Sequence, residues 1–315
     1  MDDVKTTPQI KPDDILSSSE VSYLREKNST IGVSLVLHAW IVILGSIILF
    51  SLYPNILTFI LAVLIISGRQ LGLVILMHEG AHGLITNNVK INNFISQLFC
   101  AFPMGVDTYD YRYYHLRHHR YTQTEEDPDL VLSSPFPISK KSLLRKVLRD
   151  LFGITGVKQR IEGISRTLKK QSNRADGKEV AGFKSQSTLY GVLFSQIIIF
   201  IVMSYIGSWW YYFAFWVFPS ITLFQLWYRV RNIAEHAVVD NDCDDFNNAR
   251  TTHASFIERI FVAPYYVNYH LEHHLFMFVP CYKLKSAHQM LIDKNYKNRM
   301  EIKYGYIALL KAILV

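Results

Sequence analysis

Four apolar runs leave this chain few ways to fold. Residues at about 31–52 and 56–77 are almost wholly apolar and are separated only by Tyr53-Pro54-Asn55. Residues at about 189–206 and 209–227 form a second pair that turns at Gly207-Ser208. A helix rises about 1.5 Å per residue, so a run of twenty-odd residues makes roughly 33 Å, enough to cross a bilayer core. In hydrocarbon a helix satisfies every backbone polar group within its own segment. The pattern therefore predicts an all-α integral membrane fold of two transmembrane helical hairpins, four spans in all. Trp209, Trp210, Tyr211 and Tyr212 at one end of the second hairpin, with Trp227 and Tyr228 at the other, suit the two interfacial belts of a spanning pair. Half of the residues are hydrophobic and the mean hydropathy is +0.13, beyond an ordinary soluble domain.

Charge orients the hairpins. Arg69 is the only lysine or arginine within the four runs and their two turns; all others lie in 1–30, 79–187 and 229–315. The positive-inside rule places those three segments, and with them both termini, in the cytoplasm, as in a bacterial inner membrane or the endoplasmic reticulum. The net charge of +7 is then a membrane signature, and nucleic acid is not an expected partner. Residues 140–184 fit this reading. Leu143, Leu144, Val147, Leu148 and Leu151 recur at helical spacing beside Lys141, Arg145, Lys146 and Arg149, as in a helix lying on an anionic surface.

Residues 1–30 are polar and mixed in charge, which predicts a flexible cytoplasmic tail before a single membrane domain over 31–315. Asn92 to Val106 is apolar but short and interrupted by Pro103, suiting a re-entrant or interfacial segment. Arg69 is expected to snorkel toward the headgroups and His38 to bond to another helix. Cys100, Cys243 and Cys281 are odd in number and far apart, so neither a disulfide framework nor a zinc ribbon is indicated.

The chemistry lies in the histidines. His270, His273 and His274 fall at i, i+3 and i+4 and leave one face of a helix, and His115, His118 and His119 repeat that spacing. His78-Glu79-Gly80-Ala81-His82 opens the series directly after the second apolar run. Imidazole suits iron, copper and zinc alike, while calcium and magnesium prefer oxygen. Eight clustered histidines overfill one zinc and match two ions with about four or five nitrogens each. His236, after the second hairpin as His78 is after the first, would make a ninth ligand, with Asn232 one turn earlier on its face. Glu79, Asp127, Asp129, Glu235 and Glu272 stand beside these groups as candidates to accept the outer imidazole N–H and fix each ring's tautomer.

With two hairpins, His78-Glu-Gly-Ala-His82, His115-Leu-Arg-His118-His119 with the trailing Asp127-Pro-Asp129, and His270-Leu-Glu-His273-His274, the chain from about Ile31 to Phe278 resembles the membrane fatty acid desaturase superfamily. That superfamily of histidine-box enzymes also includes hydroxylases and carotenoid ketolases. The resemblance implies a cytoplasmic helical cap in which the box histidines and His236 bind two iron ions, with Asn232 acting through a metal-bound water. It implies O2 as co-substrate and a lipid acyl chain as substrate, most simply desaturated, with hydroxylation or ketolation of a fatty acid or terpenoid as the alternative. The third box begins with His270 where front-end desaturases usually have glutamine, and no His-Pro-Gly-Gly cytochrome b5 segment is present. Electrons are therefore expected from a separate carrier: ferredoxin, cytochrome b5 or a reductase. A remote alternative reads His78-Glu79-Gly80-Ala81-His82 as the HExxH of an intramembrane zinc protease with Glu79 as base. It leaves six box histidines without a role.

Overall fold

The computed structural model describes residues 10–169, 185–239 and 244–315; Cys243 lies outside them. The fold is mostly helical. Its long helices begin where a side chain can take up the first free N–H groups. Asn28 accepts from the Ile31 N–H at 3.1 Å and opens α1 (Ser29–Leu52). After the Tyr53-Pro54 break, Asn55 accepts from the N–H groups of Leu57 and Thr58 and opens α2 (Ile56–Ala81). These two helices pack along one another. From Ser67 to Ala81 all but one residue of α2 is buried, and α1, the first short helices after it and later segments surround it.

The segment after α2 is short and broken, as its length and Pro103 suggest. It forms a helix over Val89–Ile95, a π-helical turn over Ser96–Ala101 and a 3-10 turn over Phe102–Met104. There follow α3 (Thr108–Tyr121), α4 (Lys140–Leu151), α5 (Ile154–Lys169), α6 (Ser185–Ile206) and α7 (Leu223–His236). The last third of the chain holds two parallel strands, β1 (Thr251–His253) and β2 (Ile302–Tyr304), with Thr251 opposite Ile302. It also holds α8 (His270–Leu275) and α9 (Leu284–Asp293).

Among the described residues three helices are long and apolar enough to cross a membrane: α1, α2 and Ser187–Ile206 within α6. The fourth apolar run is not one continuous helix. It passes through a π-helical turn at Tyr212–Val217 and a short turn at Phe218–Ile221, then breaks at Thr222 (φ −114°, ψ −96°) before α7 begins. Pro219 lacks the N–H that an uninterrupted ladder needs.

Two expectations are corrected. The stretch expected to be a flexible tail is folded from Ile10 onward: Ile15, Leu16, Val21 and Leu24 are buried in the core, and the helix Ser18–Arg25 carries a capping box from Ser17 and Glu20. Residues 1–9 lie outside the described residues. Arg69 does not reach for headgroups. It is buried, donates from Nη2 to the Ile260 carbonyl at 2.6 Å and lies over the Tyr265 ring, so protein groups replace its water. His38 hydrogen-bonds through Nδ1 with the Tyr265 hydroxyl at 3.1 Å, a partner in the 3-10 helix Pro264–Tyr266, in keeping with the bond to another helix expected of it.

Gly68 is where α2 meets the backbone of the helix Phe256–Phe261. A Cβ there would stand 2.6 Å from the Ile260 carbonyl oxygen and 3.2 Å from Phe261 Cα, closer than real Cβ contacts come. Gly68→Ala should therefore lower the thermal unfolding midpoint of the purified protein, by an amount equivalent to about 1–3 kcal/mol. An unchanged midpoint in a detergent-solubilised unfolding scan would contradict this packing.

Candidate metal centre

Four separate segments deliver the nine histidines singled out in the sequence. The end of α2 carries His78 and His82, α3 carries His115, His118 and His119, the last residue of α7 is His236, and α8 carries His270, His273 and His274. Local chemistry fixes these ends. Asp107 accepts from the N–H groups of Tyr109 and Asp110 and starts α3. Arg112, one turn into α3, donates from Nε to the Ala81 carbonyl at 2.6 Å and from Nη2 to the Gly80 carbonyl at 3.0 Å. A cation thus closes the negative end of α2 and ties the first histidine box to the second.

The nine imidazoles form two groups. His78, His82, His115, His119 and His273 make one, His118, His236, His270 and His274 the other, and within each group one ligand atom per residue lies within 4.8 Å of all the rest. In the second group the Nε2 atoms form a ring, with separations of 3.2 Å (His118 to His236), 2.9 Å (His236 to His270), 3.1 Å (His270 to His274) and 3.3 Å (His274 to His118). In the first, His119 Nε2 lies 2.9 Å from that of His115 and 3.0 Å from that of His273. Two nitrogens each about 2.1 Å from one ion stand about 3.0 Å apart at a right angle and about 3.4 Å apart at the tetrahedral angle. Both groups have the size of a single-ion cage.

The unpaired atoms point the same way. Both ring nitrogens of His78 and Nε2 of His82 are buried without a hydrogen-bond partner among the described residues. A buried polar atom left without a partner costs about 1–3 kcal/mol, and a metal ion would engage the inward nitrogens. On the outer side, His118 Nδ1 donates to Asp127 at 2.8 Å and His236 Nδ1 to the Asn248 carbonyl at 3.1 Å. Each bond puts the proton on Nδ1 and leaves the Nε2 lone pair facing its group. The residues present fit a pair of metal ions bound through imidazole.

Burial favours the neutral form of seven of these rings. His82 is pushed down to about 3 by loss of water, then by Arg112. His115, His119, His236, His270, His273 and His274 are held well below the ordinary imidazole range, again by burial first and by neighbouring charges second.

The five acids divide. Asp127 meets a histidine of the second group directly, while Asp129 lies 3.8 Å from the same His118 Nδ1 and accepts from the Tyr114 hydroxyl. Glu235 stands 3.5 Å from His270 Nδ1 and is engaged by Arg231 at 2.5 Å. Glu79 lies 3.6 Å from His78 Nδ1, and its other oxygen accepts the Cys281 N–H at 2.8 Å. That bond, with His78 and His82 sharing a cage with three further histidines, removes the premise of the zinc-protease reading. Glu272 departs from expectation: it accepts from His288 Nδ1 at 2.6 Å and from the Thr251 hydroxyl, fastening α8 to α9 and β1. Sequence reasoning missed His288 and Asn248. His288 shows only as an inward position of an amphipathic helix, alongside Leu284 and Leu291, and Asn248 acts through its backbone. Asn232 is half-buried one turn before His236 and lines a cavity of about 100 Å³ with Tyr228, Arg229, Lys146 and Gln225.

The sequence model of the fatty acid desaturase family matches residues 54–306. The chain is 27% identical over 252 residues to the dihydrorhizobitoxine desaturase of Bradyrhizobium elkanii, covering 76% of this chain and 67% of that protein. It is 25% identical over 323 residues to the sn-1 oleoyl-lipid 12-desaturase of Picosynechococcus sp., covering 97% of this chain and 89% of that protein.

Two outcomes follow for this centre. Asp127→Asn should weaken metal binding roughly 10- to 100-fold with the helices intact, read by competition with a chelator, because His118 loses the acceptor that fixes its tautomer. Unchanged affinity would contradict that role. In metal-stripped protein His82 titrates near 3 when folded and near 6.5 when unfolded, so the unfolded chain binds more protons between those values. Its stability should be fully present above pH 6.5 and fall as the pH drops toward 3, steeply since six other rings shift the same way; a flat denaturation profile over that window would contradict it.

Proposed function

The chain belongs to the fatty acid desaturase family, and from that premise we propose that it introduces a carbon–carbon double bond into the acyl chain of a membrane lipid. Two adjacent methylenes would each lose a hydrogen, and O2 with two electrons and two protons would leave as two waters. The observation that carries this reading is the division of nine imidazoles, seven of them buried and two half-buried, into adjacent groups of five and four. Two metal ions held side by side would suit a reaction that must take hydrogen from an unactivated carbon.

His78, His82, His115, His119 and His273 would hold one iron ion, and His118, His236, His270 and His274 the other, with Asn232 reaching it through a water. Iron bound there supplies the O2 chemistry that side chains alone lack. The protein's own tasks are positional. Asp127 and the Asn248 carbonyl keep the Nε2 lone pairs of His118 and His236 turned inward. Glu272, held by His288 and Thr251, sets the pitch of α8 and so the aim of three histidines. The packed helices around the centre keep bulk water from the reacting methylene.

In this reading residues from about 31 onward act as one membrane domain with four spans, the broken run before α7 serving as the fourth. The histidines and both termini face the cytoplasm, where a separate carrier, a ferredoxin, cytochrome b5 or a reductase, delivers electrons. Both relatives carry the name desaturase, which favours loss of hydrogen over insertion of oxygen. Their names differ in substrate, so the acyl lipid is argued from the wider match to the oleoyl-lipid enzyme.

Lipid profiling of a host expressing the chain tests the proposal. Acyl species lighter by two hydrogens are expected, and these should vanish with His273→Ala. Species gaining one oxygen, also dependent on His273, would overturn desaturation in favour of hydroxylation.

A further inference from the structure

Outside the centre, α4 and α5 present the surface least suited to water. Along α4 the inward positions are Leu143, Lys146, Val147 and Asp150; Asp150 is fully buried and pairs with Arg229 of α7. The outward side carries two adjoining rows. Lys141, Arg145 and Arg149 repeat every fourth residue, all exposed. Beside them Leu144 and Leu148 are 57% and 42% exposed, and Phe152, just past the helix end, is 76% exposed. The apolar row continues into α5 through Ile154, Val157, Ile161 and Ile164, every one exposed. Basic and apolar rows together line a cleft of about 670 Å³ that includes Lys141, Arg145, Arg149, Leu148, Phe152 and Ile154.

Seven exposed large apolar side chains in one line, flanked by cations, do not belong on a water-facing surface. We propose that the outward face of α4 and α5 docks on an anionic phospholipid surface, the three cations binding headgroup phosphates while the apolar row enters the acyl boundary. Three features select this occupant. Charge is complementary, since the cleft's only formal charges are positive. The chemistry is layered, cations beside a continuous apolar strip, which is how an interfacial helix meets a bilayer. The face is also continuous with the membrane region, because α5 packs against α6, one of the helices able to span. An acidic protein would meet the cations yet leave Phe152, Ile154 and Ile161 in water. Arg229 and Asp150 fasten α4 to the helix that ends in His236, so this face is mechanically tied to the centre. The inference requires a membrane-embedded chain and does not depend on which reaction the centre performs.

The test uses the full chain in nanodiscs of phosphatidylcholine alone or mixed with phosphatidylglycerol, with amide hydrogen exchange read over residues 140–165. Exchange should be about tenfold slower or more in the anionic discs. A Lys141→Gln, Arg145→Gln, Arg149→Gln variant should exchange equally in both, and Phe152→Gln should exchange faster in both, while metal content stays at the unaltered level as a check on folding. Equal exchange of the unaltered protein in the two compositions would overturn the proposal. Protection that is independent of lipid charge and appears only when an acidic electron carrier is added would overturn it in favour of a protein-docking face.

Discussion

Nine imidazoles packed around two points cannot be a restful arrangement without cations. Nε2 atoms at 2.9–3.3 Å around a ring repel one another unless something positive lies between them, and several other ring nitrogens are buried with no partner. The surroundings oppose the alternative of protonation, since burial drives these rings toward neutrality. Much of the local architecture makes sense as a means of holding that arrangement. Arg112 clamps the end of α2 to α3, Asp127 and the Asn248 carbonyl orient two rings, and Glu272 fixes α8 to its neighbours. Metal binding would then be folding energy for the segments that carry the histidines, because no single segment carries a complete cage.

The long apolar helices and the clustering of the histidines were legible because both rest on periodicity. Apolar runs announce helices by length, and His270, His273 and His274 announce a shared face by spacing. What was not legible depends on partners far away in the chain. Arg69 looks like a snorkelling cation until the Ile260 carbonyl, 191 residues later, takes its proton donor. Glu272 sits between two box histidines, so adjacency suggested that it served them; helical geometry turns it the other way, onto His288 and Thr251. The polar N-terminal stretch looked disordered because its buried residues, Val21 and Leu24, are few and their packing partners are distant. The break before α7 was signalled by Pro219, yet the apolar composition of the run outweighed it in the sequence reading.

The same helix that ends in His236 pairs its Arg229 with Asp150 of α4 and lines the cavity beside Asn232. One of the nine histidines, the polar cavity and the anchor of α4 therefore share one helix. The mixture of a buried ion pair and an apolar outer row also explains why α4 is so strongly two-sided in sequence.

The central claim is that the two histidine groups are a pair of metal sites that take iron. Metal analysis of the purified full chain tests it most directly. Two iron ions per chain are expected, falling when His118 or His273 is replaced by alanine. A single zinc per chain, unaffected by loss of His118, would contradict the account.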